Sequence, residues 1–461
     1  MTLTQDVEIA VIGAGVAGIA TAYYLCTAYE KKSVLLIDSR QALSFTSAQS
    51  GDNYRNWWPH PTMVNFTNDS IDLMERIARE SSNVLKMTRR GYAVATRRAN
   101  IDELLRELVA GYGGEESDLI RVHGGPSSTT YQPTISAAWT HTPDGVDVLS
   151  NQDLIRQTFP SFNHEISNVV HIRRAGEIDS QQMAEHMLQR IKEAGGKLTV
   201  GNVTNIEYNQ NFMLDIDRAN GMARIDADIV VNAAGPFAKK VAAMIGVDLP
   251  IENIFQQKVA FDDRYAAVPR QQAFSIDLDD NELDWTAEER ELLADDQDMA
   301  WLSGPMPGGI HCRPEGGTQG SWVKLGWAYN RQASEPQQEL KSDRYFDPHF
   351  PEIVLRGAAS LNPALKKYNG SFPGRRIHYG GYYSMTRENW PLIGPMGGNG
   401  AFVVGALSGF GSMSACAAGA LCAAWISAGD LPDYAMHLSL ERYNNQKLLS
   451  ALRSAANKGV L

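Results

Sequence analysis

Six residues near the amino terminus, Gly13-Ala14-Gly15-Val16-Ala17-Gly18, constrain this chain more than any other stretch. They follow an apolar run, Val7 to Ile12, that reads as a buried parallel strand. Behind them Ile19 to Tyr29 carries helix formers with an apolar face, and Ser33 to Asp38 is a second strand ending in an acid. Each glycine has a physical reason. Gly13 permits the tight turn, Gly15 lets the backbone approach a pyrophosphate, and Gly18 lets helix and strand pack closely. The helix amino terminus then faces the phosphates with free N–H groups, and Asp38 can accept hydrogen bonds from a ribose. Strand, glycines, helix and acid together specify a dinucleotide site. The pattern leaves FAD and NAD both open.

A net charge of -11 argues against a nucleic-acid partner, which needs basic stripes. The four cysteines, Cys26, Cys312, Cys416 and Cys422, show no metal spacing and are too few for a disulfide framework. A reduced, cytoplasmic setting is the expectation, with no signal peptide, because the first apolar run already belongs to the fingerprint. Ala401 to Ile426 is nearly free of charge, yet it is rich in Gly, Ser and Ala and lacks flanking basic and aromatic anchors. It reads as a small-residue helix buried in a core, so no membrane span is expected.

Further along, Ser44 to Gly51 is a loop of hydroxyls and small residues suited to close approach of a phosphate or ring, or to a plain turn. Asp52 to Pro59 sets Arg55 among Tyr54, Trp57 and Trp58, where it either pairs with a carboxylate or stacks structurally. Asp228 to Pro236 is a buried strand ending in a small-residue turn, a second strand–turn–helix able to close on the same ligand. Lys258 follows Gln256 and Gln257 on a strand-rich stretch, as a surface lysine or as a cation beside a bound cofactor. His311 lies on a strand from Gly309 to Arg313, facing a cofactor or bonded in a core, and Trp327 is a cavity wall or a core aromatic. Tyr382 and Tyr383 alternate on one strand, so one points into a cavity; Tyr382 is taken as that residue. Asp277 to Asp298 is strongly acidic and reads as a solvated surface insertion.

Four stretches in order carry a resemblance: the fingerprint, the loop Ser47 to Gly51, Asp228 to Phe237, and Met385 to Gly394 with Gly405 to Gly411. Together they resemble the D-amino-acid oxidase and sarcosine oxidase family, the FAD-dependent amine oxidoreductases of the glutathione-reductase-2 type. The most specific part is the carboxyl-terminal pair, Thr386 to Gly394 and then Gly405 to Gly411. The resemblance implies an α/β fold with a discontinuous Rossmann-like FAD-binding domain (1–87, 175–248 and 379–461) and a second mixed β-sheet substrate domain (88–174 and 249–378, with the acidic insertion 277–298). It implies hydride transfer from the C–N carbon of a secondary amine or amino acid to flavin N5, with reoxidation by oxygen. Alternatives in the same fold are a dehydrogenase passing electrons to a quinone or partner protein, and a non-catalytic FAD-holding assembly factor.

Carried onto this chain, the resemblance implies cofactor contacts from Gly13, Gly15, Val16, Ala17 and Gly18, from Asp38, Ser39 and Arg40, and from Ser47, Ser50 and Gly51. It adds Val203, Ala234 and Gly235, then Gly394 and the run Ser408, Gly409, Phe410, Gly411, Ser412 and Met413. A helix amino terminus at Gly411 would stabilise negative charge on the reduced ring. Arg55, Lys258, His311 and Tyr382 are the candidate catalytic residues, and no metal is expected. Three departures stand out. Ser321 occupies the position where sarcosine oxidases attach flavin through cysteine, and Ala48 the position of the histidine used by the dimethylglycine dehydrogenase type. Both imply non-covalent FAD. Met413 falls where sarcosine oxidases place a carboxylate-binding lysine.

Overall fold

A computed structural model describes residues 4–114, 118–125, 130–134, 136–340 and 346–455. The strand Thr4–Ile12 runs parallel to Val34–Asp38 on one side and to Gly221–Asn232 on the other, so both fingerprint strands lie inside one sheet. The sheet extends through Lys197–Val200 at one edge and through the hairpin Asn202–Asn209 and Asn211–Arg218 at the other. Ala401–Gly405 adds in parallel beside the end of Gly221–Asn232, which brings the late part of the chain to the first strand's neighbourhood.

Two helices cover this sheet. Val16–Thr27 is buried on nearly every side because the late helix Gly411–Ile426 packs directly on it. A Cβ on Gly419 would lie 2.5 Å from the backbone carbon of Ala20, so the two helices approach as only a small-residue face permits. This is why the late stretch is rich in Gly and Ala. Among the described residues one helix, Ser408–Ile426, is long and apolar enough to cross a membrane, and 72% of its apolar window is buried within the protein.

The second sheet has nine strands and mixed direction, in the order Arg376–Met385, Glu252–Asp262, Trp322–Gly326, Ile310–Glu315, Phe274–Asp277, Tyr92–Thr96, Asn168–Ile172, Val146–Leu149 and Ile120–His123. The strand Arg376–Met385, which straddles residue 379, runs entirely at this sheet's edge. Asn53–Arg55 pairs with Ala175–Glu177 as a short two-stranded link. Arg313 ties the link to the large sheet: it pairs with Glu177 at 2.8 Å and donates to the Gly51 carbonyl at 3.0 Å.

The acidic stretch departs from expectation. Asp277 is fully buried and pairs with Arg97 through both carboxylate oxygens, at 2.9 and 3.0 Å. Thr286 caps the helix Ala287–Asp295 with a reciprocal bond to Glu289, while Leu283 and Leu293 enter the core beside Ile353 and Val354. Arg356 binds Glu289 at 2.7 Å and covers the Trp285 ring. The segment is therefore an integral element: Asp277, Asp279 and Glu289 pair with arginines and Asp284 with Lys366, while its spaced apolar residues supply the burial.

Candidate active site

The turn after the first strand builds the first cavity. Gly13 has φ +109°, and a Cβ there would strike the Ala233 carbonyl oxygen at 2.2 Å. Gly18 has no room either, since its Cβ would fall 2.0 Å from the Gly13 carbonyl oxygen. Gly15 differs: beyond Ser47 Oγ at 3.1 Å nothing lies within 4 Å of its added Cβ, because it faces open cleft. Asp38 is held by two backbone amides, accepting from Ala14 at 2.7 Å and from Arg40 at 2.9 Å. Ser47 accepts from the Val16 amide at 3.0 Å and so ties the hydroxyl loop to the helix start. Gly13, Gly15, Asp38, Ser39, Arg40, Ser47, Val203, Ala234 and Gly235 all line this cleft. Arg40 lies over the rings of Phe45 and Phe237, which with Lys240 form walls that sequence reasoning did not single out.

The second cavity lies where the same loop continues. Ser50 and Gly51 line it on one side, and Ser408, Gly409, Phe410, Ser412 and Met413 on another. Its remaining walls include Arg55, Trp58, Lys258, His311 and Tyr383, with Tyr92 and Phe274 from the large sheet. Arg55 is buried, stacks on Trp58 at 4.7 Å, and burial lowers its pKa to about 10, which leaves it charged near neutrality. The arginine is thus stacked on Trp58 and also lines the cavity. Lys258 is buried rather than on the surface; its ammonium donates to the Gln49 carbonyl at 3.2 Å, and burial lowers its pKa to about 8. His311 places Nδ1 3.2 Å from the Gly309 carbonyl, so Nδ1 carries the proton and Nε2 is the acceptor. Burial pushes its pKa down to about 4, and the ring is neutral.

Several sequence-named residues fall elsewhere. Tyr383, and not Tyr382, lines the cavity. Tyr382 turns to the opposite face, where its hydroxyl accepts from the Gln337 amide at 3.0 Å and its ring packs on Phe255. The sheet register decides this, setting Tyr383 opposite Ile254 and Tyr382 opposite Phe255. Gly394 lies in neither cavity; its φ is +138°, and a Cβ there would lie 3.0 Å from Trp425 Nε1, which gives it a packing role. Val16, Ala17, Gly18 and Gly411 also line neither, acting through the backbone and helix packing around the clefts. Trp327 is core, donating to the Pro307 carbonyl at 3.0 Å. Cavity residues that were missed include Tyr92, Phe274 and Asn53, Asn389 at φ +56° in the turn after Met385, and Arg331, exposed at the rim.

Both cavities contain buried polar atoms that the protein leaves unbonded. Among the described residues Thr46 Oγ1 in the first cleft has no hydrogen-bond partner, nor have Asn53 Oδ1, Trp58 Nε1 and Asn389 Oδ1 in the second. Buried polar atoms demand partners, so these donors and acceptors fit a ligand carrying ribityl, phosphate and heteroaromatic groups. The cysteines do not approach it. Cys312 alternates with His311 and Arg313 along its strand and points into the apolar core, where burial raises its thiol pKa.

A glycine-turn dinucleotide cleft beside a cationic, aromatic cavity under a mixed sheet defines a flavin-type oxidoreductase. The chain belongs to the FAD dependent oxidoreductase family, whose model matches residues 8–425. Mitochondrial dimethylglycine dehydrogenase of Mus musculus is 22% identical over 446 residues, covering 95% of this chain and 44% of the relative. The chain thus spans less than half of that curated relative. Among solved structures, L-proline dehydrogenase from P. horikoshii superposes with a TM-score of 0.70 at 19% identity, covering 96% of this chain and 99% of that one. Glycine oxidase from Geobacillus kaustophilus gives 0.67 at 15% identity, covering 94% and 98%.

Proposed function

We propose that the protein oxidises the C–N bond of a carboxylate-bearing amine, with non-covalently held FAD and oxygen as the final acceptor. The observation that carries this is the buried Arg55 guanidinium, stacked on Trp58 and lining the same cavity as the neutral His311. A planar guanidinium in aromatic surroundings is a strong bidentate anchor for a carboxylate. When bound, FAD supplies the two-electron acceptor for the hydride leaving the carbon next to nitrogen. Arg55 orients the substrate, and His311 Nε2 accepts a hydrogen bond from the amine without introducing charge. Lys258, when protonated, supplies a fixed positive charge that favours the reduction of oxygen. Ser321 is bonded to Asp262 at 2.5 Å and Ala48 has no nucleophile, which supports the non-covalent reading.

Anaerobic addition of proline, glycine, sarcosine or dimethylglycine to the yellow holoenzyme tests this. Bleaching followed by rapid recolouring in air is the expected result; bleaching that persists in air means that another acceptor is used. No bleaching with any of them removes the carboxylate-amine assignment. Acid precipitation should release intact FAD to the supernatant, and colour remaining in the pellet would show a covalent bond.

A further inference from the structure

The nine-stranded sheet has a second cavity on its other face, of about 780 Å³, within the range of small-ligand sites. Strand alternation separates the two spaces. Tyr92 and Phe274 line the cavity of the proposed chemistry, whereas Ala273, Gln272 and His171 line this one, and the two share no lining residue.

Its charge is what calls for a ligand. Arg90 lines the cavity and is only 8% exposed, yet among the described residues it makes no ion pair. Among the described residues its guanidinium donates one hydrogen bond, to the Arg270 carbonyl at 3.1 Å. Arg270 itself, the nearby cation, is occupied by the carbonyls of Trp322 and Gly317. The one acid in the lining, Asp153, has a side chain 95% exposed and lies at the rim beside Arg156. His171 adds no charge: Tyr131 donates to its Nδ1 at 3.0 Å and its Nε2 faces the Arg90 carbonyl at 3.0 Å. A guanidinium on so little exposed a residue, with no anion beside it among the described residues, is a ready partner for a carboxylate. The walls beside it, Leu154, Phe159 and Pro160, are apolar. We propose that this cavity is a second ligand site, for a small organic acid whose carboxylate pairs with Arg90 and whose apolar body lies against Phe159 and Leu154.

The test is calorimetric titration of phenylacetate into the holoenzyme, with the flavin spectrum followed in parallel. Arg55→Met removes the anchor of the other cavity, so binding heat that persists in that variant without a spectral change reports this site. Adding Arg90→Met should weaken that binding about tenfold or more, the usual loss for a charge-assisted pair. Phenylacetamide, lacking the charge, should bind correspondingly more weakly. Gln157→Trp, an exposed rim substitution, should obstruct entry and tests the site independently should Arg90→Met fail to fold. Absence of heat in Arg55→Met, unaltered binding in Arg90→Met or Gln157→Trp, or equal affinity for the amide would each overturn the proposal. None of these readouts depends on which amine the enzyme oxidises.

Discussion

Gly409 and the ring of Tyr383 occupy a space that admits only one side chain: a Cβ on Gly409 would lie 2.5 Å from Tyr383 Cε2 and 2.6 Å from Cζ. The glycine just before the helix Gly411–Ile426 thereby fixes where a cavity aromatic stands. Gly409→Ala should displace the ring and lower kcat/KM about tenfold, since misplacing a positioning group costs on that scale. The same change in a Tyr383→Ala background should have little further effect, because the clash is gone. Equal losses in both backgrounds, measured as a double-mutant cycle, would mean that Gly409 acts by another route.

Gly15→Val should abolish FAD retention. The space before Gly15 is open cleft, and a branched side chain would fill what a pyrophosphate needs. The measurement is the ratio of visible to protein absorbance after gel filtration. Stoichiometric flavin in a folded variant would refute this use of the turn.

Arg55→Met should raise KM for a carboxylate-bearing amine on the order of a hundredfold, with a much smaller change for the decarboxylated analogue. Arg55→Lys should recover only part, because an ammonium lacks the planar fork and the stacking on Trp58. Matching losses for both substrates, at unchanged flavin content, would assign Arg55 to architecture.

Lys258 gives a pH signature. Its folded pKa, lowered by burial to about 8, lies below the unfolded value, so the unfolded chain binds more protons between pH 8 and roughly 10.4. Stability should rise with pH across that window. At pH 7 the buried charge costs on the order of 3 kcal/mol, less whatever its bond to Gln49 returns. Lys258→Met should therefore melt higher than the parent at pH 7, with the gap closing towards pH 10. Reoxidation by oxygen should slow in the parent as pH passes 8, and be slow and flat with pH in the variant. A pH-independent stability gap would show that the lysine does not titrate there.

The glycine turn was legible because its demands are largely local: Gly18 closes on the Gly13 carbonyl within one turn, Gly13 takes a positive φ, and Asp38 closes the same unit. The substrate-side cavity was only partly legible. Arg55 stood out as a cation among aromatics, whereas Lys258 read equally as a surface lysine, because its burial depends on strands far apart in sequence. Tyr382 and Tyr383 show the limit most sharply. Alternation says that one of them faces inward, and only the pairing with Ile254 and Phe255 says which. The acidic stretch misled because its charge conceals the spacing of Leu283 and Leu293, which sets its burial.

The contact of Gly419 with Ala20 also has a consequence in time. The helix that opens the cofactor fold is covered by one made about four hundred residues later. During synthesis Val16–Thr27 must wait, its apolar surface exposed, until Gly411–Ile426 has left the ribosome, so the first-made part of the flavin domain is among the last to be sealed.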